Sequence, residues 1–100
     1  MSKPDPIPKH LKTDARRMFQ RLSADYVISD AAGLALLQAA CEAFQRTQEA
    51  RAVIDEAGAV LVDRFGQAKA HPACAIERDA RGQMIAALRA LRLAPDEAAQ

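Results

Sequence analysis

One hundred residues are enough for one domain, which at this size buries roughly 60–65% of the surface its unfolded chain exposes. Half are apolar but only four are aromatic, and many are alanine, so the core is expected to be thin, of the kind that copies of a chain complete for one another. A net charge of +1 says nothing by itself about nucleic acid, whereas the lack of a secretory segment and of an apolar run of ~18 residues excludes a membrane span and points to a cytoplasmic chain with Cys41 and Cys74 reduced.

Residues 1–12 read as a flexible, proline-rich arm: Pro4, Pro6 and Pro8 fix φ and remove donors, and no apolar period runs through them. A first helix is expected to open near Thr13 as N-cap with Asp14 in its first turn. Ala15, Met18, Phe19 and Leu22 recur at i, i+3, i+4 and i+7 and mark its buried face, while Lys12, Arg16, Arg17 and Arg21 lie off it. Ser23-Ala24-Asp25 reads as a break and Tyr26-Val27-Ile28 as an apolar linker. Ser29 is the expected cap of a long helix running to Ala57, about 42 Å at ~1.5 Å per residue, with Gly58 left-handed behind it. Its stripe is Leu34, Leu37, Cys41 and Phe44, then Val53, Ile54 and Ala57. Thr47, Gln48 and Arg51 make the seam between them polar, a surface for a partner subunit or solvent.

Ala59-Val60-Leu61-Val62 has strand character, Asp63-Arg64-Phe65-Gly66 is a turn, and Gln67 to Ala70 forms the return, so a small hairpin or loop is expected. Pro72 suits the first turn of a last long helix, whose stripe is Ala73, Ile76, Ala80, Met84, Ala87, Leu88 and Leu91. Pro95 marks its end, and residues 93–100 form an acidic tail. The fold class is therefore mainly α: three principal helices, one long, in a single domain over residues 13–92. Its expected core joins Met18, Phe19, Leu22, Leu37, Phe44, Ile76, Met84 and Leu88.

No constellation for catalysis is present. Gly33, Gly58, Gly66 and Gly82 are isolated, so no phosphate loop exists, and Thr13, Ser23 and Ser29 have no local His/Asp partners. His71 and Cys74 form H-x-x-C, with His10 and Cys41 as conceivable companions, but structural zinc takes paired ligand spacing. Burial of Cys41 is expected instead, with His71 ordering the start of the helix. Neither metal nor cofactor is expected.

Charge is segregated along the chain: a local +4 over residues 1–24, −5 over 25–63, +4 over 64–92 and −2 over 93–100. Such a molecule can meet DNA on a basic face and a basic partner on an acidic one. Two basic sets are candidates for DNA. Arg78, Arg81, Arg89 and Arg92 fall within about 80° of the last helix, where they could track phosphates. Arg16, Arg17 and Arg21, with Lys9 and Lys12 of the arm, form the second set, slightly favoured because the arm can reach along a duplex.

The whole pattern resembles the small subunit of a tailed-phage terminase. The carrying stretches are Pro8-Lys9-His10-Leu11 before a helix with Phe19, then Asp30, Leu34, Cys41-Glu42-Ala43-Phe44, Arg46 and Ala50. They continue with Ile54, Gly58, Gly66 and Lys69-Ala70-His71-Pro72, and with Ile76-Glu77-Arg78-Asp79-Ala80-Arg81 through Leu91-Arg92-Leu93-Ala94-Pro95. The resemblance spans roughly residues 8–95. It implies a non-catalytic subunit that forms a homo-oligomer, commonly a ring, binds viral double-stranded DNA and presents it to the terminase large subunit, an ATPase and nuclease. Members often continue with a basic stretch after the proline, whereas this chain ends Asp96-Glu97-Ala98-Ala99-Gln100. Two alternatives remain: an assembly adaptor without direct DNA binding, and a small helical DNA-binding transcriptional regulator. The latter is disfavoured by the long break from Ser23 to Ser29 and the acidic helix that follows.

Overall fold

The computed structural model describes residues 7–93. The start of the arm, the Pro95 stop and the acidic tail beyond Leu93 lie outside the described residues. Three helices and one hairpin follow in order: α1 (Thr13–Asp25), α2 (Ala31–Ala57), β1 (Val60–Val62), β2 (Ala68–Ala70) and α3 (Pro72–Leu91). The chain is mainly helical, and the hairpin stands where the sequence allowed either a hairpin or a loop.

The helix ends have local causes. Lys12, not Thr13, is the N-cap of α1, and its amide donates to Gln45 Oε1 of α2 at 2.6 Å, so the cap is supplied from across the fold. Asp30, not Ser29, caps α2: its carboxylate accepts from the Gly33 amide at 2.9 Å, which satisfies one of the orphan donors of the first turn. Gly33 must be glycine there, because a Cβ would stand 2.7 Å from Asp30 Oδ1 and 2.9 Å from Ile28 Cγ2. Gly58 closes α2 at φ 89°, ψ 153°, a glycine-only region rather than the left-handed helical one expected. Pro72 opens α3 behind the imidazole of His71, whose Nδ1 accepts from the Ala73 amide at 2.9 Å. Arg92 ends α3 at φ 55°.

α2 and α3 lie antiparallel, and α1 with its approach packs along α2 as far as Gln48. Two regions result. The head holds α1, the first half of α2 and the end of α3. Its core is Leu11, Ala15, Phe19, Leu37 and Cys41, with Ile7, Met18, Leu22, Ile28, Leu34, Phe44 and Leu91 against it. Three polar contacts line α1 and its approach up on α2: His10 with Glu42 at 2.7 Å, Lys12 with Gln45, and Gln48 with Asp14 at 3.0 Å. The stalk is the remaining α2–α3 pair, where the buried cluster is only Ala50, Ile54 and Ala73, with Cys74 beside them.

The α2–α3 seam is built of small side chains. Ala40, Ala43, Thr47 and Ala50 of α2 and Ala73 and Ala80 of α3 are buried, and small contact residues let helix axes approach. Thr47, expected to make a polar surface, is inside, its hydroxyl donating to the Ala43 carbonyl at 2.9 Å. Ile76 and Val53, expected in the stripes, are instead 48% and 44% exposed. A two-helix stalk covers one strip of each helix, and these residues lie on flanks that no third helix reaches.

β1 and β2 pair antiparallel, Val60 with Ala70, Leu61 with Lys69 and Val62 with Ala68. Asp63 holds the turn, its Oδ1 accepting from the amides of Phe65 and Gln67 at 2.8 and 3.0 Å. The long axis of the molecule is 61 Å, well beyond the ~40 Å of α2.

Candidate nucleic-acid interface

The head's basic residues begin on α1. Ala15 and Phe19 face the core, so Arg17 and Arg21, four apart, stand together on the flank of α1. With Met18, Leu22, Tyr26 and Phe44 they line an open depression of about 600 Å³, which also carries Asp14 and Asp25. A second depression of about 360 Å³ shares Leu22 and Tyr26 with the first and is closed on its far side by Ile85, Leu88 and Arg89 of α3. A third, of about 350 Å³, shares Phe44 and Gln48 with the first and brings in Arg51 and Arg81. Shared walls make the three one groove between α1 and α3, floored by α2. Members of both arginine sets therefore line these adjoining depressions, Arg17 and Arg21 from α1 and Arg81 and Arg89 from α3, whereas Lys9, Lys12, Arg16, Arg78 and Arg92 line none of the three.

Their surroundings differ. Arg16 is half-buried and donates to the Pro8 carbonyl at 3.4 Å, holding the arm against α1. Arg17 stands 3.9 Å from Asp14, and Arg78 lies 3.2 Å from Asp79. Arg81 is drawn toward the α2–α3 seam, where Glu77, its side chain 13% exposed, lies 3.6 Å from Arg81 and 3.7 Å from Arg51. Arg51 in turn pairs with Asp55 at 3.2 Å. Glu77 and Arg81 have the i, i+4 spacing of a helical ion pair; Arg51 is a further partner that the spacing cannot show, because it stands on another helix. Lys9, Lys12, Arg21, Arg89 and Arg92 form no ion pair among the described residues. These exposed, uncompensated cations are the ones suited to a polyanion. Arg92, in its left-handed conformation past the end of α3, leaves the strip expected from helical phase.

Electrostatics follows the head–stalk division. Residues 7–48 and 82–93 carry eight basic and four acidic side chains, a net +4; residues 49–81 carry five and six, a net −1. The cysteine and histidine residues give no common site: Cys41 is buried in the head, where burial first and Glu42 second push its thiol up to about 11. His10 pairs with Glu42, and His71 and Cys74 are at the stalk end of α3. Among the described residues no group of three or more metal-ligating side chains converges, and no helix is long and apolar enough to cross a membrane.

Neither a curated protein nor a solved structure matches the chain. The model of a family described as phage terminase, small subunit, matches residues 14–100, a span that includes α1 after its first residue and the whole of α2, the hairpin and α3.

Proposed function

Because the chain belongs to the small-subunit family of phage terminases, and so to the machinery of DNA packaging, we propose that it is the non-catalytic subunit that binds viral double-stranded DNA as a homo-oligomer and presents it to the large ATPase and nuclease subunit in the host cytoplasm. The observation that carries the DNA contact is the convergence of α1 and α3 arginines on one side of a head with net charge +4. Guanidiniums held on two banks can meet phosphates of a duplex without any group that reads bases, so binding is electrostatic and strongly salt-dependent. Arg21 and Arg89 are the principal contacts, with Arg17, Arg81, Lys9 and Lys12 adding to the field and Arg78, Arg92 and the arm-bound Arg16 contributing less. The homo-oligomer is supported by the thin, alanine-lined stalk, which leaves apolar side chains for another copy to cover.

The test is the salt dependence of DNA affinity for Arg21→Ala and Arg89→Ala, each at verified oligomer mass. Each lost phosphate contact lowers the slope of log affinity against log salt by ~0.9. Variants that keep both affinity and slope while assembled would leave the adaptor without DNA contact as the better reading.

A further inference from the structure

We infer that the β-hairpin is the arm by which one copy of this chain holds the next, its apolar face and Phe65 tip seated on the outer flank of the neighbour's stalk. The inference rests on the reading of the protein as a homo-oligomer and gives that assembly its surface.

The strand register decides which side chains share a face. Successive residues alternate, so Val60, Val62, Ala68 and Ala70 form one face without a polar side chain, while Leu61 and Lys69 lie on the other with the Asp63–Lys69 ion pair. Val60 and Val62 are 61% and 69% exposed, and Phe65 at the turn is 75% exposed. Besides the chain itself, the hairpin is tied to the helices at its base, where the Ala59 carbonyl accepts from the His71 amide at 2.8 Å and the Cys74 thiol at 3.7 Å. A two-stranded sheet left alone in water is marginal, and an uncovered apolar face on a projecting arm gains most from another molecule.

The chain itself carries a matching surface. At ~100° per residue, Glu49, Val53 and Glu56 share one outer flank of α2, and Ile76 and Asp79 share the corresponding flank of α3. Both flanks lie on the side of the stalk away from the Arg51–Glu77–Arg81 cluster. Val53 and Ile76 are exposed there, framed by carboxylates, and Glu49 and Glu56 have no ion pair among the described residues. The hairpin tip brings the complement: Phe65, with the Arg64 guanidinium 5.0 Å above its ring, and no carboxylate paired to Arg64 among the described residues. An apolar tip bearing a cation thus meets an apolar patch rimmed by anions. The hairpin is unsuited to DNA, because Asp63 neutralises one of its two cations and its broad face is apolar. Donor and acceptor surfaces are different patches, so the contact is heterologous. Repeated from copy to copy, it generates a ring if the rotation closes and an open chain if it does not.

The experiment measures assembly of the full chain by light scattering across a concentration series. Val62→Lys with Phe65→Ser should raise the midpoint concentration of assembly by about thirtyfold or more, as for loss of an interface anchor, while the helical melt measured on the dissociated chain stays unchanged because both residues are already exposed. Glu49→Arg with Glu56→Arg should weaken assembly about tenfold through like-charge contact with Arg64. Adding Arg64→Glu to that variant should restore it, a rescue that only contact between two copies explains. Hairpin variants with wild-type mass, or a charge swap without rescue, would overturn the proposal, and loss of large-subunit capture at unchanged mass would overturn it in favour of that partner. A monomeric wild type would overturn both this contact and the homo-oligomer. The DNA reading would still stand or fall on the salt slope of the single chain.

Discussion

Head and stalk share α2 and α3, yet they are held by different physics. In the head, α1 lays Phe19 over Leu37 and Cys41, and Leu11 and Ala15 close the cluster, so large side chains lose all contact with water. In the stalk, no third helix arrives. α2 and α3 meet through alanines, Ile54 is the one large buried side chain, and Val53, Ile76 and the hairpin apolars are left outside. The lesson is that the amount of apolar sequence does not set the size of a core; the number of elements that reach it does. The head can stand on its own packing. The stalk depends on its attachment to the head, and in the proposed homo-oligomer neighbouring copies would add to it.

The two cysteines offer the sharpest way to break this comparison, since one lies in each region. Cys41 is buried and its thiol is held at about 11, so little thiolate exists at pH 8; Cys74 lies half-exposed in the stalk. A thiol reagent should label Cys74 readily and Cys41 about a thousandfold more slowly, at a rate governed by opening of the head. Equal rates would show that the head opens as freely as the stalk.

Two phenylalanines come next. Phe19→Ala should cost ~3–5 kcal/mol, enough to unfold a marginal domain, whereas Phe65→Ala should leave the thermal midpoint of the isolated chain within about 0.5 kcal/mol of wild type. Calorimetry or circular dichroism reads both. Similar losses for the two would mean that the hairpin is folded into a common core.

A smaller effect sits at the junction between α1 and α2. Asp30→Ala removes the cap on the Gly33 amide and should cost ~1 kcal/mol. Ser29→Ala, by contrast, should be close to neutral in the same denaturation series.

The least effect belongs to the hairpin turn. The Gln67 amide, then the Phe65 amide and Lys69, hold the Asp63 carboxyl below its ordinary value. A carboxyl lowered in the folded state adds stability above its unfolded pKa, and that stability is lost as pH falls through the folded value. Protection of the hairpin amides, corrected for the intrinsic exchange rate, should therefore fall only in acid, below about pH 4, while protection in α1 and α2 is unmoved over the first part of that range. Hairpin protection that falls between pH 8 and 6 would contradict this assignment.

Much of the fold was legible because it is local. The Ala15–Met18–Phe19–Leu22 spacing announces α1, Gly58 and Pro72 bracket the hairpin, and valines at 60 and 62 announce a strand. Leu37, Cys41 and Phe19 were readable as core from period alone. Ile76 and Val53 were not, because a helical stripe records what a helix could bury and not how many neighbours come to bury it. Leu11 has no period around it and is buried only because the described end of the arm turns back on the head. The cap of α2 reads from sequence as Ser29, one residue early; the cap is Asp30, because its carboxylate is the one that reaches the Gly33 amide. For the candidate interface, both arginine sets were visible as charge. That Arg17, Arg21, Arg81 and Arg89 line adjoining depressions was not, since it depends on how α1 and α3 pack on α2.

Two proposals divide the molecule: DNA is met by the basic side of the head, and the next copy by the stalk and its hairpin. The most direct test is a parallel salt titration of DNA affinity, per bound chain, for an Arg21→Ala/Arg89→Ala protein and for a Val62→Lys/Phe65→Ser protein. The head variant should lose ~1.8 from the slope of log affinity against log salt at wild-type mass, while the hairpin variant loses mass and keeps the per-chain slope. A head variant with an unchanged slope, or a hairpin variant with an intact oligomer, would contradict this division.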